Sequence, residues 1–511
     1  MQIEQEIKFR VSPQAARRVW RLVPLASVPL RQEFVGIYYD TRSERLRRAG
    51  VGLRLRREGR RWMQTLKVES AAHAGLAARA EWESEAHGRL LDVGAFPREA
   101  IMAATGLDLQ RVAPKLRPLF ETRFVRRRAM IELPGGSRAE LCVDRGYIAA
   151  ALRREVLLEM ELELKAGDAR SMIRLAEKLA RPLALEIEFQ SKSQRGYRLA
   201  SGHPAEAPYK WSRPAIAESA TPGESFALLF GAALRQIGIN ARGVLTSRDL
   251  EFLHQMRVGL RRLQSALRAY RGLVKRSDAK PLARELHRIV PPLGAARDWD
   301  VFCDWLASEA KTAGREAVAV RALLVRARRR RAAARRGARD TIASWRFQRF
   351  LLRALRWLLE APWSRKAAAR NAPLYEFGGR SLERLHHKAV KDAYGLDWRD
   401  ATQRHALRIK VKRLRYASGF FAGSFPRASV RSYLKHLQAL QDILGELNDV
   451  AVARRLVREL AQPGAGANYV RRALAARERA LIASLEPAWT AFGKRAPFWH
   501  RAPQEAVRAP A

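Results

Sequence analysis

Hydrophobic and polar residues alternate with a period of two at several places in the first 200 residues of the chain. The alternating segments are residues 3–9, 53–56, 81–83 and 159–165. This pattern is typical of strands whose two faces differ in chemistry. Segments with the spacing of amphipathic helices lie near residues 12–22, 95–106 and 168–181. The first 200 residues are therefore predicted to form an α+β or barrel-like domain.

A second pattern begins after residue 221, where long Ala-, Leu- and Arg-rich segments have helical spacing and almost no strand-like alternation. The preceding segment contains several prolines with Ser, Ala and Gly, as linkers do. The predicted organisation is an α+β domain at residues 1–200, a linker at 201–221, an all-helical domain at 222–500 and a frayed Pro- and Ala-rich tail at 501–511.

Each alternating strand of the first domain has one ionic face. Glu4, Glu6 and Lys8 share such a face on the first strand. For a single strand, an ordinary sheet with one wet side explains this, but here whole faces are either carboxylates or Arg and Lys. If the sheet closes with these faces inward, it forms a tunnel with cations on one wall and carboxylates on another. A metal-chelated phosphate chain would match both walls.

The helical part contains an internal repeat. At one constant spacing, His254, Arg257, Arg261, Arg262 and Leu263 are matched by His405, Arg408, Lys412, Arg413 and Leu414. At the same spacing, Leu293, Gly294, Asp298 and Val301 are matched by Leu444, Gly445, Asp449 and Val452. We therefore predict two copies of one helical unit, at about residues 222–360 and 380–500.

The repeated His and basic residues fall on one flank of each predicted helix. Two such stripes, brought together by pseudo-symmetry, would form a cationic groove suited to a flexible chain of phosphates. A solvated surface is the alternative for any single basic helix, and it is our interpretation of the Arg-rich run at 326–336. Asp298 and Asp449 lie in what we predict to be matched turns, where they would orient arginine side chains.

Charge and composition narrow the choice of partner and compartment. The chain has 97 Lys and Arg against 51 Asp and Glu, a net charge of +46, which favours a polyanionic partner. Two cysteines cannot build a disulfide framework, and the sequence has neither a signal peptide pattern nor a long apolar stretch. A cytoplasmic protein without membrane contact is expected. Phosphate-binding P-loops, dinucleotide fingerprints and zinc-helix motifs are absent from the sequence.

The N-terminal motifs resemble those of the CYTH proteins, also called triphosphate tunnel metalloenzymes. Glu4-x-Glu6-x-Lys8 resembles the ExExK signature of that family. The likeness continues through Tyr38-Tyr39-Asp40-Thr41, Leu53-Arg54-Leu55-Arg56, Thr65-Leu66-Lys67, Glu81-x-Glu83, Glu159-x-Glu161-x-Glu163 and Ser191-Lys192-Ser193 with Gly196-Tyr197. This ordered set covers about the first 200 residues.

The resemblance implies an α+β fold with an eight-stranded antiparallel β tunnel that hydrolyses triphosphate with Mg²⁺ or Mn²⁺. The implied metal-side residues are Glu4, Glu6, Glu161 and Glu163, together with Glu83 and Asp144, and Glu81 and Glu159 are further candidates. The implied phosphate-binding residues are Lys8, Arg54, Arg56, Lys67, Arg123 and Lys192. The catalytic set would be Glu4, Glu6, Lys8, Glu161 and Glu163. Hard cations take oxygen ligands, while Arg and Lys neutralise the transferred phosphoryl group.

The helical repeat resembles the CHAD family, the conserved-histidine α-helical domains. The likeness rests on His254 with residues 293–301 and on His405 with residues 412–416. It implies an all-α, pseudo-symmetric double helical bundle that binds inorganic polyphosphate and associates with polyphosphate granules. The polyphosphate-binding residues would be His254, Arg257, Arg261, Arg262, His405, Arg408, Lys412 and Arg413.

Other functions remain open from the sequence. The tunnel could be catalytically silent within a polyphosphate-binding scaffold. The positive charge would also suit non-specific nucleic-acid binding, although the basic stripes lack the interleaved aromatic residues that stack on bases. Within the tunnel fold, ATP cyclisation and hydrolysis of thiamine triphosphate are alternatives to hydrolysis of inorganic triphosphate. Neither substrate preference nor oligomeric state can be deduced from the sequence.

Overall fold

The computed structural model describes residues 2–69, 76–202, 207–365, 371–460 and 464–500, with side chains of residues 2–4, 69 and 76–80 left out. The predicted tail at 501–511 lies outside this range. The described residues form two compact units. The first unit combines residues 1–210, 234–252 and 343–360, and the second combines residues 211–233, 253–342 and 361–511. The units therefore do not follow the predicted linear boundary, because two helical segments from later in the chain belong to the first unit.

The first unit is built on a closed antiparallel barrel. Its strands are β1 (Gln2–Arg10), β2 (Leu30–Asp40), β3 (Val51–Glu58), β4 (Arg61–Glu69), β5 (Leu76–Ala86), β6 (Arg117–Leu133), β7 (Ser137–Ala150), β8 (Arg153–Ala166) and the short β9 (Glu186–Ile187). They pair in the order β5-β4-β3-β2-β6-β7-β8-β1-β9, and β1 also pairs with β5. That last pairing closes eight strands into a ring, with β9 beside the end of β1. The predicted antiparallel tunnel fold is confirmed.

The apolar faces of the strands form the core outside the barrel. Ile7, Leu53, Leu66 and Leu162 are all completely buried. The short helices of this unit are α1 (Pro13–Arg18), α2 (Arg45–Arg48), α3 (Arg98–Thr105), α4 (Leu109–Val112), α5 (Ala169–Leu179) and α6 (Lys192–Ala200). Part of the β3 and β4 apolar face packs with residues of α2, α3 and α4 in one core cluster. Because successive side chains of a strand alternate in direction, the ionic face of each strand points inward.

The later segments of the first unit pack against its α+β part. They are residues 234–246 of α7 (Pro222–Thr246) and the helix α11 (Trp345–Glu360). Arg356 of α11 donates to Glu177 of α5, with its Nε 2.6 Å from the carboxylate. The Ile187 backbone N–H donates to Gln348 of α11 over 3.1 Å. The barrel unit is thus completed by helices beyond residue 200.

The second unit is helical throughout the part that the structure describes. Besides the start of α7, it contains α8 (Glu251–Ala269), α9 (Arg276–Thr312), α10 (Ala317–Ala343), α12 (Leu374–Ala393), α13 (Ala401–Phe421), α14 (Arg427–Leu460) and α15 (Ala465–Gly493). The predicted all-helical C-terminal region is confirmed. One core cluster joins α9, α10, α14 and α15 through residues such as Leu306, Leu323, Leu456 and Val470.

The repeat lies on two matched helix pairs of the second unit. The His254 stripe is on α8 and the His405 stripe is on α13, while Asp298 is on α9 and Asp449 on α14. The prediction that the two aspartates lie in turns is wrong, because both matched segments are inside long helices. Among the described residues, no helix is long and apolar enough to cross a membrane.

Candidate functional site

Three buried carboxylates meet inside the barrel. Asp144 on β7 and Glu159 and Glu161 on β8 place carboxylate oxygens within 4.8 Å of one another. The strand register explains this, because Asp144 lies opposite Glu159, and Glu161 follows two residues later on the same face. In this structure Lys192 contacts all three carboxylates, with its Nζ 2.8 Å from both Asp144 and Glu161. Such oxygen donors fit a hard divalent cation.

Further cations surround this cluster. Arg126 on β6 forms a fork to Asp144, with N–O distances of 2.7 and 2.8 Å, and its Nη2 is 2.5 Å from Glu161. Lys8 Nζ lies 2.9 Å from Glu161 and 3.1 Å from Glu6. Two lysines and one arginine therefore meet the Glu161 carboxylate.

Burial and these cations shift the pKa values of the cluster in opposite directions. Burial alone would raise the pKa of Glu161, but Lys192, Lys8 and Arg126 hold it well below its usual value. Burial is the largest effect on Glu159 and raises the pKa of that carboxyl. Although burial disfavours its charge, Asp144 and Glu159 raise the pKa of Lys192 well above its usual value. Glu161 and Lys192 are therefore a charged pair of buried side chains at the cavity.

A second wall of the barrel consists of cations on β3 and β4. Lys67 Nζ is 2.9 Å from Glu81, and Arg54 Nη2 is 3.9 Å from the same carboxylate. Arg56 Nη2 is 3.2 Å from Glu83. These pairs follow from the register, in which Lys67 lies opposite Glu81.

The two walls enclose a cavity of about 470 Å³. Its charged lining comprises Glu6, Lys8, Arg47, Arg54, Arg56, Lys67, Arg126, Glu161, Lys192, Arg198 and Arg235. The Nε atoms of Arg54, Arg56, Arg198 and Arg235 are buried and have no hydrogen-bond partner among the described residues. Nine cations against two carboxylates along the lining make this a cavity for an anion.

The helix α6 positions Lys192 at its first residue. Ser191 caps this helix by accepting from the Gln194 N–H over 3.1 Å, and the Gln194 side chain accepts from the Ser191 N–H. Gly196 is needed for close packing, since a Cβ there would lie 2.0 Å from the Phe120 ring. These contacts hold Lys192 over the carboxylates.

The Tyr-Tyr-Asp-Thr segment positions Arg47 at the cavity. The buried Asp40 carboxylate accepts from the backbone N–H groups of Leu46 and Arg47 over 2.9 and 3.0 Å. Tyr197 of α6 donates its hydroxyl to the same carboxylate over 2.9 Å. Asp40 thus ties the short helix α2 to α6, which explains why these residues accompany the ionic motifs.

The structure brings most of the predicted tunnel residues together. Glu6, Lys8, Arg54, Arg56, Lys67, Glu161 and Lys192 line the cavity. Asp144 lies directly behind Lys192 and Arg126. The side chain of Glu4 lies outside the described residues.

Three predicted residues lie elsewhere. Arg123 is exposed and its Nε is 3.3 Å from Glu121, because odd-numbered residues of this part of β6 point outward while Phe124 and Arg126 point inward. Glu83 is exposed beside Arg56, and Glu163 is half-buried beside Lys165, although it lies opposite Glu6 in the register. Arg123 is therefore not brought to the cavity, and Arg126 lies there instead.

Sequence reasoning missed Arg126, Arg198 and Arg235. The segment Arg126-Arg127-Arg128 gave no alternation from which the inward residue could be chosen. Arg126 shares a strand face with Phe124, which lines the cavity. Because Phe124 is apolar, the sequence did not mark that face as the inward one. Arg235 lies in a helical segment that showed no connection with the strands.

The second unit contains a cavity of about 940 Å³ between the repeated helices. Arg257 and Arg261 of α8 and Arg408 and Lys412 of α13 all line it, together with His254, Arg297 and Arg477. Asp298, Asp442, Glu446 and Asp449 also line this cavity. The predicted meeting of the two stripes therefore occurs, with carboxylates at its sides.

The cations of this cavity repel one another. Burial, and then the neighbouring Arg261, lower the pKa of Arg257 to about 10. Burial, followed by Arg408, Arg261 and Arg257, lowers the pKa of Lys412 to about 7. Gly294 makes room for Arg257, since a Cβ there would lie 2.9 Å from its Nη1. A cavity in which charging a lysine is costly favours a bound anion.

The remaining stripe residues do not line this cavity. His405 is exposed. The guanidinium carbon of Arg262 lies 4.5 Å from the centre of the Trp211 ring, and burial lowers the pKa of Arg262 to about 10. Arg413 is half-buried, and burial followed by Arg268 lowers its pKa. In each stripe, therefore, some basic residues line the cavity and others lie beside it.

Comparison with known proteins gives matches on both parts of the chain. Residues 2–197 match the CYTH domain family, and residues 228–458 match the CHAD domain family. The chain is 30% identical over 207 residues to an inorganic triphosphatase of Haemophilus influenzae, and the match covers 39% of this chain and 55% of that relative. It is 26% identical over 450 residues to an uncharacterized protein of Mycobacterium tuberculosis, covering 83% of this chain and 81% of the relative.

A solved structure matches the helical part. The crystal structure of the CHAD domain from the plant Ricinus communis is 34% identical, with a TM-score of 0.50, and the match covers 59% of this chain and 99% of that one. A closed β tunnel with an ionic interior, joined to a helical domain with a cationic cavity, defines a two-domain architecture. The chain belongs to the proteins in which a CYTH domain is followed by a CHAD domain.

Proposed function

We propose that this protein hydrolyses inorganic triphosphate in the CYTH tunnel, with Mg²⁺ or Mn²⁺, and binds inorganic polyphosphate through its CHAD domain. The observation that carries the first part is the cavity inside the barrel that Glu161 and Glu6 line together with Arg54, Arg56 and Lys67. The triphosphatase of Haemophilus influenzae supports the same reaction, although the match spans only 55% of that relative.

Different residues of the cavity would bind the metal ion and the phosphate chain. Asp144, Glu159 and Glu161 would hold the divalent ion, with Glu6 beside them at the cavity surface. When bound, the ion neutralises phosphate oxygens and makes the phosphorus more electrophilic. Lys8, Arg54, Arg56, Lys67, Arg126 and Lys192 bind the phosphate oxygens and hold the chain along the tunnel. The barrel walls partly shield these groups from bulk water, which strengthens each of these interactions.

A substrate panel tests the reaction. Tripolyphosphate, ATP, thiamine triphosphate and pyrophosphate are offered to the full chain with Mg²⁺, with Mn²⁺ and with a chelator, and released phosphate is measured. We expect the fastest release from tripolyphosphate and none with the chelator. Cyclic nucleotide from ATP would instead indicate cyclisation, and no turnover on any substrate would favour a silent polyphosphate scaffold.

The second part of the proposal rests on the cavity between α8 and α13. Its cations come from both repeats, so one polyphosphate chain could contact both. Competition between polyphosphate and single-stranded RNA at matched phosphate concentration tests this part. Stronger competition by RNA would favour nucleic-acid binding, whereas preference for polyphosphate would be consistent with a place at polyphosphate granules in the cytoplasm.

A further inference from the structure

Six residues that line the tunnel cavity come from beyond the CYTH match, and Tyr209 and Arg235 are two of them. That match ends at residue 197, yet Tyr209 and Arg235 also line the cavity. Arg235 lies on α7, a helix on which the CHAD match begins at residue 228. Residues 234–252 nevertheless belong to the same compact unit as the barrel.

The inner half of α7 is fixed against the barrel unit by three contacts. A Cβ at Gly238 would lie 2.0 Å from the Phe189 ring, so only glycine permits this approach. Arg242 Nη1 is 3.1 Å from Glu186 of β9. Asn240 is completely buried, accepts from the Tyr209 N–H and donates to the Tyr209 carbonyl, each over 3.0 Å. Arg235 is therefore presented by a rigid element, one turn of helix from Gly238.

Arg235 differs from the barrel arginines in its partners. Arg54 and Arg56 are each within 4.0 Å of a carboxylate on β5. Among the described residues, the Arg235 guanidinium forms neither a hydrogen bond nor an ion pair, and its buried Nε has no partner. The ring centre of Tyr209 lies 5.8 Å from its guanidinium carbon. A half-buried guanidinium without a carboxylate is a ready partner for a phosphate.

We infer that Arg235 binds a phosphate group of the tunnel substrate. The substrate cavity of this protein then extends past the CYTH boundary onto the first CHAD helix. This inference rests on the proposed function, since it names a further residue of the same cavity. Tyr209 acts as a positioning residue, with its backbone held by Asn240 and its ring beside the Arg235 guanidinium.

The test compares Arg235→Gln, Arg235→Lys and Arg248→Gln in the full chain. Phosphate release from tripolyphosphate is measured with saturating Mg²⁺. Losing one charge-assisted contact should raise KM by about 10-fold or more for Arg235→Gln, with a smaller change in kcat. Arg235→Lys should recover part of that loss. Arg248→Gln removes the same charge from an exposed position just after α7 that does not line the cavity, so its KM should equal that of the wild type.

Binding without turnover separates this inference from the proposed function. Calorimetry with tripolyphosphate is carried out without metal, in a full chain whose second cavity is disabled by Arg257→Glu with Arg408→Glu. We expect the Arg235→Gln affinity to be about 10-fold weaker there as well. A wild type that binds but does not hydrolyse would defeat the proposed function alone. Equal affinities for Arg235→Gln and the wild type, or an equal loss with Arg248→Gln, would overturn the assignment of Arg235.

Discussion

The two cavities of this protein treat positive charge in opposite ways. In the tunnel, Lys192, Arg126 and Lys8 each contact a carboxylate, and the pKa values of Lys192 and Arg126 are raised well above their usual values. In the helical cavity, burial and neighbouring cations lower the pKa of Lys412 to about 7. The tunnel cluster, in which buried carboxylates pair with cations, can hold a metal cation and a phosphate together. In the helical cavity the four lining carboxylates do not offset burial and the neighbouring cations at Lys412, and such a site favours an anion.

The difference follows from the two kinds of scaffold. A closed barrel places side chains from neighbouring strands in register, so carboxylate strands can face basic strands at hydrogen-bonding distance. Two repeated helices instead bring like stripes together, and like charges meet. The carboxylates and cations of the barrel together fit a metal-dependent reaction on phosphates. The clustered cations of the helical cavity fit the binding of a polyanion.

The largest expected effect is on the compensated cluster. Glu161→Gln should lower triphosphate hydrolysis by at least about 100-fold, because it removes a buried carboxylate from the candidate metal site. It also leaves Lys8, Lys192 and Arg126 with less compensation, which should destabilise the fold by about 3–5 kcal/mol. Phosphate release and thermal unfolding measure the two effects.

The matched control for this change is Glu140→Gln. Glu140 is on β7 and its Oε1 is 3.4 Å from Arg128, but it does not line the cavity among the described residues. We expect its turnover to stay within about twofold of the wild type. Wild-type turnover by Glu161→Gln in saturating Mg²⁺ would remove Glu161 from the metal site.

The second prediction concerns the helical cavity between α8 and α13. Arg257→Glu with Arg408→Glu should weaken polyphosphate binding by about 100-fold and reduce the log–log salt slope by about 0.7–0.9 per lost contact, if polyphosphate behaves like nucleic acid. Triphosphate hydrolysis should continue. Salt titrations of polyphosphate affinity give both quantities.

An equal change of charge on a solvated helix is the control. Arg329→Glu with Arg330→Glu alters two exposed residues of α10. If this pair weakens binding as much as the cavity pair, binding depends on diffuse charge and the cavity has no special role. Arg262→Glu with Arg413→Glu, on the flank of the stripes, should have an intermediate effect.

A smaller effect is expected from pH. Lys412 has a pKa of about 7 in the free cavity, so it is charged below that pH and neutral above it. A bound polyanion favours the charged form, and affinity should therefore fall as pH rises from about 6 to 9. If binding raises this pKa by about one unit, the affinity changes by about 10-fold.

Lys412→Arg keeps its charge over this range and should flatten the pH dependence. Calorimetry in buffers of different ionisation enthalpy should detect proton uptake on binding above pH 7 by the wild type alone. A pH profile identical in both proteins would assign the titration to another group.

The last prediction concerns stability alone and tests which residues belong to the barrel unit. Gly238→Ala should destabilise the protein by about 1–3 kcal/mol, because its Cβ would overlap the Phe189 ring. Gly337→Ala, at an exposed position of α10 with nothing within 4 Å of the added Cβ, should stabilise it by about 0.5–1 kcal/mol. Chemical unfolding of both variants measures the difference, and equal effects would show that α7 does not pack closely on Phe189.

Much of the fold could be predicted from local sequence. The alternation around Glu6, Lys8, Arg54 and Glu161 assigned the inward faces of the strands, because side chains of a strand alternate without exception in an unbroken register. The repeat located the two basic helices for a similar reason. The basic residues have the same spacing within each copy, so they fall on the same face of each helix. Where alternation failed, as in Arg123 to Arg128, the inward residue could not be chosen.

The sequence by itself determined the chemistry of each strand face, the two repeated basic stripes and the change from strands to helices. Only the tertiary structure decided that Asp144, Glu159 and Glu161 converge on Lys192, since their separation along the chain says nothing about which strands are neighbours. It also decided that α7 and α11 complete the barrel unit and bring Arg235 to the cavity. The physical reason is that local periodicity fixes which way a side chain points, whereas strand pairing and helix packing fix what it meets.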